Sequence, residues 1–139
     1  MFNVYLSGNM SDISLEEAKE WREYIKKDLE GDVYSGNKRC KVFSPCDYYN
    51  YESPYQSEKE IMRYELRKTR QSDLVVVNLT NHKSLGTMAE ITTAYEHDIP
   101  VIGYNPTNEK IHPWQEEMCD VMFNDIEDLL FYVKKYYLN

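Results

Sequence analysis

Apolar residues recur along this chain in two alternating rhythms. Phe2 to Leu6 is a short apolar run that ends at Ser7-Gly8-Asn9, and Lys41 to Ser44 is a second short segment stopped by Pro45. Leu74 to Leu79 and Pro100 to Tyr104 are two more, and Asp120 to Phe123 is a short fifth. These lengths predict strands. The segments between them keep a helical period instead. Ser11 to Glu30 places Ala18, Trp21, Ile25 and Leu29 on one stripe, with Gly31 and Gly36 breaking the pattern behind it. Glu58 to Gln71 turns Ile61, Tyr64 and Leu66 inward, and Thr87 to His97 forms a third helix. Asp125 to Tyr137 closes the chain on Ile126, Leu129, Leu130, Val133 and Tyr137. Residues 46–57 and 105–114 are left as loops.

The unbroken Leu74-Val-Val-Val77 run marks a strand buried on both faces, as in a parallel sheet. Strands alternating with helices from end to end predict a doubly wound α/β domain. The expected form is a flavodoxin-like, Rossmann-like three-layer fold on a mostly parallel sheet of about five strands. The 139 residues suit one domain spanning 1–139, and 42% hydrophobic content supplies its core.

Charge and cysteine usage narrow the function classes. A net charge of −8 disfavours a general nucleic-acid backbone binder, which needs a basic face. It leaves room for a small phosphorylated ligand, since a helix N-terminus can hold one phosphate. Cys40, Cys46 and Cys119 lack paired spacing, so reduced thiols and no zinc site are expected. His82, His97 and His112 show no metal-ligand spacing either. Phe2 to Leu6 is too short for a signal-peptide core, and acidic Asp12, Glu16 and Glu17 follow at once. No run approaches the roughly 20 apolar residues of a membrane span. A soluble, cytoplasmic protein without cofactor or metal is the expectation. No G-x-S-x-G, G-x-G-x-x-G or Walker A sequence is present, so serine hydrolase, dinucleotide redox and ATPase readings lack their motifs.

In a doubly wound sheet the loops after successive strands share one edge, where ligands bind. That edge gathers Tyr5 to Asn9, Pro45 to Tyr51, Thr80 to Glu90 and Asn105 to Trp114, with Glu65 on the helix that leads to the central strand. Glu90 admits two readings. Thr87-Met-Ala-Glu90 fits a capping box, with the glutamate serving the helix start. The same carboxylate, in the first turn and kept ionised by the positive helix end, could instead attack a sugar carbon. Glu65 reads either as a solvated face residue or as a site acid. Gly8 and Gly86 permit close approach of backbone to ligand or serve ordinary turns, and Ser84 bonds a phosphate or caps a loop. The cluster Tyr48, Tyr49, Tyr51 and Tyr55, among 13 tyrosines, either lines a pocket or packs on itself.

Taken in order, these residues resemble the nucleoside 2-deoxyribosyltransferase family, which includes the 2'-deoxynucleoside 5'-monophosphate N-hydrolases. The resemblance runs through Val4-Tyr5-Leu6-Ser7-Gly8, Phe43-Ser44-Pro45, Arg63-Tyr64-Glu65-Leu66 and Ser72-Asp73-Leu74-Val75-Val76. It is strongest at Ser84-Leu85-Gly86-Thr87-Met88-Ala89-Glu90, and continues through Ala94 and Ile99-Pro100-Val101-Ile102. It implies the fold deduced above and a homodimer or larger homo-oligomer. Glu90 would attack C1' of a deoxyribose, expel the base and hold the sugar as a glycosyl-enzyme, with water or a second base as acceptor. Tyr5 would stand beside it. Glu65 would protonate the leaving base, where the family usually carries aspartate. Gly8, Asn9, Ser84 and Gly86 would bind substrate. Ser84 stands where many transferases carry aspartate, and the Ser-Leu-Gly form resembles the monophosphate hydrolases, whose serine helps hold the 5'-phosphate. Their arginine after the first strand is replaced by Ser11. A small-molecule nucleoside or nucleotide is therefore the expected partner, with neither a nucleic-acid polymer nor a membrane.

Overall fold

A computed structural model of the chain describes residues 1–11, 13–31, 38–47 and 57–139. Five strands, β1 (Phe2–Gly8), β2 (Cys40–Phe43), β3 (Leu74–Asn78), β4 (Val101–Tyr104) and β5 (Val121–Phe123), pair in the order β2-β1-β3-β4-β5. Every pairing is parallel. This is the expected flavodoxin-like order, with its topological switch between β1 and β3.

Period-two alternation divides the core into two layers. Val4 and Leu6 of β1 join Val42, Leu74, Val76 and Ile102 against Ile25 and Leu29 of α1 (Leu15–Gly31) and Leu129, Leu130 and Val133 of α5 (Ile126–Val133). On the opposite face Tyr5, Val75, Val77 and Val101 pack against Ile91 and Ala94 of α3 (Leu85–Glu96). Helix α2 (Glu58–Arg70) lies beside α3. Ile61, Tyr64 and Leu66 of α2 are half-buried, with Tyr64 packed on Phe43 at 6.1 Å between ring centroids.

Five local expectations change, the first being that α1 begins at Leu15 rather than Ser11 and takes in Gly31. The α1 stripe reads Ala18, Arg22, Ile25 and Leu29, with Trp21 only half-buried, because an arginine takes the inward position. Helix α3 starts at Leu85 rather than Thr87, since the Ser84 side chain accepts the Thr87 amide and caps the helix. A helix α4 (Pro113–Met118) occupies part of the expected 105–114 loop. It is set by Pro113 in its first turn and by a reciprocal cap between His112 and Gln115. The last helix loosens into a π turn at Lys134–Leu138, which puts Leu138 in the core and leaves Tyr137 half-buried. Gly36 and the cluster Tyr48, Tyr49, Tyr51 and Tyr55 lie outside the described residues. Among the described residues, no helix is long and apolar enough to cross a membrane.

Candidate functional site

The carboxyl ends of β1 and β3 open into a cavity of about 340 Å³ lined by Gly8, Asn9, Glu65, Ser84, Gly86 and Glu90, together with Met10, Ser11, Pro45, Lys83, Leu85 and Thr87. Six of the seven site residues singled out in the sequence line it, and the seventh, Tyr5, touches Glu90 from beneath.

Each side chain arrives there for a local reason. Helix α3 buries Thr87, Glu90, Ile91 and Ala94, which fall three, four and seven residues apart on one stripe. Glu90 therefore occupies a core-facing position, next to two apolar residues that pack on the sheet. On β1, Tyr5 and Ser7 are two residues apart and point to the same face. Both meet Glu90: the Tyr5 hydroxyl donates to Oε2, and the Ser7 hydroxyl donates to Oε1 at 2.9 Å. Tyr5 is held flat by stacking on Phe43, its register partner on β2, at 5.3 Å between ring centroids. Glu65 comes from α2, on the turn before buried Thr69, whose hydroxyl donates to the Glu65 carbonyl at 2.9 Å.

Two expectations about Glu90 fail here. It is not a capping residue, because Ser84 caps α3 and the third helical position is Thr87. Nor does it stand in the first turn, which holds no acidic residue. The influence of a helix end fades within one turn, so it is not what keeps Glu90 ionised.

The electrostatics run the other way. Glu90 is 6% exposed, and burial pushes its carboxyl up from 4.5 to about 7, with the Glu65 carboxylate acting in the same direction. The hydrogen bonds from Tyr5 and Ser7 and the charge of Arg22 hold it down against that rise. Burial and the neighbouring carboxylates push the Tyr5 hydroxyl well above its ordinary range, so it stays a donor.

Two cavity groups, Thr87, read in the sequence only as a helix cap, and Asn9, expected to bind substrate, carry unsatisfied polar atoms. The Thr87 hydroxyl is buried without a hydrogen-bond partner among the described residues, as is the Asn9 side-chain nitrogen. Buried polar atoms of this kind are satisfied when a polar molecule fills the space beside them. Ser7 was missed, although the two-residue spacing from Tyr5 was a usable signal. Arg22, wholly buried beside β1, was hidden by a helix face that otherwise reads as apolar. Among the described residues, no group of three or more His, Cys, Asp or Glu side chains is placed to hold a metal ion.

A family model described as nucleoside 2-deoxyribosyltransferase matches residues 4–130. Comparison with curated proteins by sequence finds no match. Among solved structures, a 2-deoxyribosyltransferase from Bacillus psychrosaccharolyticus superposes with a TM-score of 0.72 at 22% identity, over 92% of this chain and 90% of that one. A CMP N-glycosidase from Clostridium botulinum gives 0.64 at 16% identity, over 96% and 98%. A 2-deoxyribosyltransferase from Leishmania mexicana gives 0.70 at 13% identity, over 99% and 100%. At these identities the three likenesses establish the shared fold.

Proposed function

Because the chain belongs to the nucleoside 2-deoxyribosyltransferase family, we propose that it cleaves the N-glycosidic bond of 2'-deoxynucleoside 5'-monophosphates, or of 2'-deoxynucleosides, with water as acceptor. The observation that carries this reading is the placement of Glu90. It is a buried carboxylate at the cavity wall, fixed through both oxygens by Tyr5 and Ser7, with a second carboxyl, Glu65, on the same cavity. A residue serving only the fold gains nothing from a desolvated carboxylate, whose burial is unfavourable.

The proposed reaction has two steps. The ionised Glu90 carboxylate attacks C1' as the C1'–N bond breaks, and protonated Glu65 gives its proton to the departing base. The sugar is left as an ester of Glu90. Glu65, now a carboxylate, takes a proton from water as that water attacks C1', which releases the sugar and restores both side chains. Tyr5 and Ser7 hold the nucleophile in line throughout. Ser84, Asn9, Gly8 and Gly86 bind the remainder of the substrate.

Preference for a 5'-phosphate is supported by the start of α3. The Ser84 oxygen accepts the Thr87 amide, so its own proton can be donated outward, next to Lys83 and beside the Leu85 and Gly86 amides, which have no hydrogen-bond partner among the described residues. The second reading is base exchange between free deoxynucleosides, favoured by the family's own description.

Incubation with dCMP, dGMP, CMP and deoxyinosine, each with and without adenine, separates the two. Base release without an acceptor, abolished in Glu90→Ala, is the expected result. Product only when adenine is present would move the assignment to base exchange. Tight binding without turnover, retained in Glu90→Gln, would make the chain a non-catalytic nucleotide-binding module.

A further inference from the structure

Building on the reading of Glu90 as nucleophile, we propose that Arg22 is a positioning residue for that carboxylate. It clamps the end of β1 that carries Ser7 and sets a fixed positive charge behind the site.

The geometry is specific. Arg22 is wholly buried. Its Nη2 donates to the Gly8 carbonyl at 2.9 Å and its Nε reaches the Leu6 carbonyl at 3.5 Å, so one guanidinium holds the residues on both sides of Ser7. Nη1 donates back to the Ala18 carbonyl at 2.7 Å, anchoring the fork to α1. The guanidinium packs on the Trp21 ring, 4.6 Å from its centroid. Gly8 fits so closely that a Cβ there would stand 2.9 Å from Trp21 and 3.3 Å from Nη2. Ser7, the residue between the two clamped carbonyls, is the one that donates to Glu90.

An arginine in this position is expensive, since a buried charge is unfavourable unless compensated. Among the described residues, no carboxylate lies within ion-pair distance of it. Carbonyl oxygens satisfy its donors, and its charge is answered at longer range by the Glu90 and Glu65 carboxyls. Burial lowers its affinity for the proton, yet guanidinium stays protonated in proteins. The groups facing Glu90 are thus Tyr5 and Ser7 from β1, Glu65 from α2, and Arg22 from α1. Strand β3 carries no titratable side chain, Tyr104 of β4 packs in the opposite core layer, and Glu116 and Glu117 of α4 are exposed. Of these groups, the Glu65 carboxylate favours a protonated Glu90, and Arg22 is the cation that opposes it.

The test follows the titration of Glu90 directly, by the carboxyl carbon resonance that disappears in Glu90→Gln, and in parallel the pH dependence of turnover. In Arg22→Met the Glu90 midpoint is expected to rise by about one unit, within the range for loss of a nearby opposite charge. The acid limb of kcat/KM should move with it, and kcat should fall at pH 6.5 by about tenfold with KM nearly unchanged. Arg22→Gln makes the same measurement should the methionine variant not fold, since its amide still serves one carbonyl. Arg22→Lys keeps the charge and loses the fork. Its midpoint should stay within about half a unit of wild type, while kcat falls at least threefold. An unmoved midpoint in a folded Met or Gln variant, or wild-type kcat in the Lys variant, would overturn the proposal. The resonance needs no turnover, so the two readings can fail separately. A shifted midpoint in an inert protein would remove the nucleophile and keep the clamp.

Discussion

Glu90 sets the chemistry because its surroundings push in opposite directions. Burial and Glu65 favour the proton, while Tyr5, Ser7 and Arg22 favour the charge, and the balance falls at about 7. A nucleophile must be ionised, so kcat/KM should climb about tenfold per pH unit below 7, until the pH at which Glu65 loses the proton it gives to the base. A pH profile flat from 5.5 to 8 would remove Glu90 from the rate-determining chemistry. Removing one of its donors should tilt the balance further. In Ser7→Ala and in Tyr5→Phe the acid limb should shift upward by about half a unit to one unit, since each variant deletes a bond to the charged form. At pH 6.5 this means a loss of about three- to tenfold, recoverable by raising the pH. A loss that is equal at pH 6.5 and 8.5 would show that the hydroxyls act otherwise than on the Glu90 proton. Much of this site was legible in the sequence. Glu90 shares a helical stripe with Ile91 and Ala94, so a carboxylate facing the core could be read from spacing. Ser7 follows from Tyr5 by alternation. Arg22 was not legible, because a long polar side chain at an inward position looks the same in sequence as one that curls out to solvent.

At the level of elements, the site depends on how β1 and α3 end. Gly8 closes β1 against α1 with no room for a side chain. Gly8→Ala should destabilise the fold by about 1 to 3 kcal/mol, the usual range for overpacking. Trp21 and Arg22 must both move aside, so activity should fall along with the thermal midpoint. Full activity at wild-type stability would mean that the clamp at this strand end is loose. Ser84 begins α3, and its hydroxyl does two things at once under the proposed function. Ser84→Ala should cost about 0.5 to 2 kcal/mol through the lost cap. It should also raise KM for a deoxynucleoside monophosphate far more than for the free nucleoside, and an equal rise for both would place the 5'-phosphate elsewhere. The capping roles show where sequence reading stops. Ser84 and Thr87 are both good caps, three residues apart, and either start leaves the same apolar stripe. Only the fit of α3 on the sheet selects Ser84, and with it moves Glu90 from the first turn to the second. Helix α4 was missed although His112-Pro113 and Gln115 carry its signature, because six residues give too little periodicity to outweigh a polar segment.

Across the whole molecule, the same carboxylate should write itself into stability. Alternation and strand order were readable end to end, since a buried parallel strand and its flanking helices are dictated by repeated apolar spacing. The consequence of burying Glu90 in that core appears only in three dimensions. Unfolded, its carboxyl returns to its ordinary 4.5, whereas in the fold it is held at about 7. The folded chain therefore keeps a proton that the unfolded chain gives up between those values. Stability falls as pH rises through this window and changes no further from this source above it, the reverse of a salt-bridged carboxylate. The span corresponds to roughly 3 to 3.5 kcal/mol at 1.36 kcal/mol per unit. The other acidic groups of this chain, net −8, add their own pH dependence, so the comparison must be made against a variant lacking only this titration. Glu90→Gln is that variant. Thermal unfolding followed from pH 5 to 8.5 should show the two proteins diverging with pH, the glutamine form gaining several degrees on wild type by pH 8. The gap should stop widening above about pH 7.5, and the glutamine form should be the catalytically dead one. Parallel curves would mean that Glu90 is solvated, and a solvated carboxylate would lose its distinction from the other acids on this surface. Divergence with loss of activity would show that the fold gives up stability at the position where the proposed chemistry needs a charge.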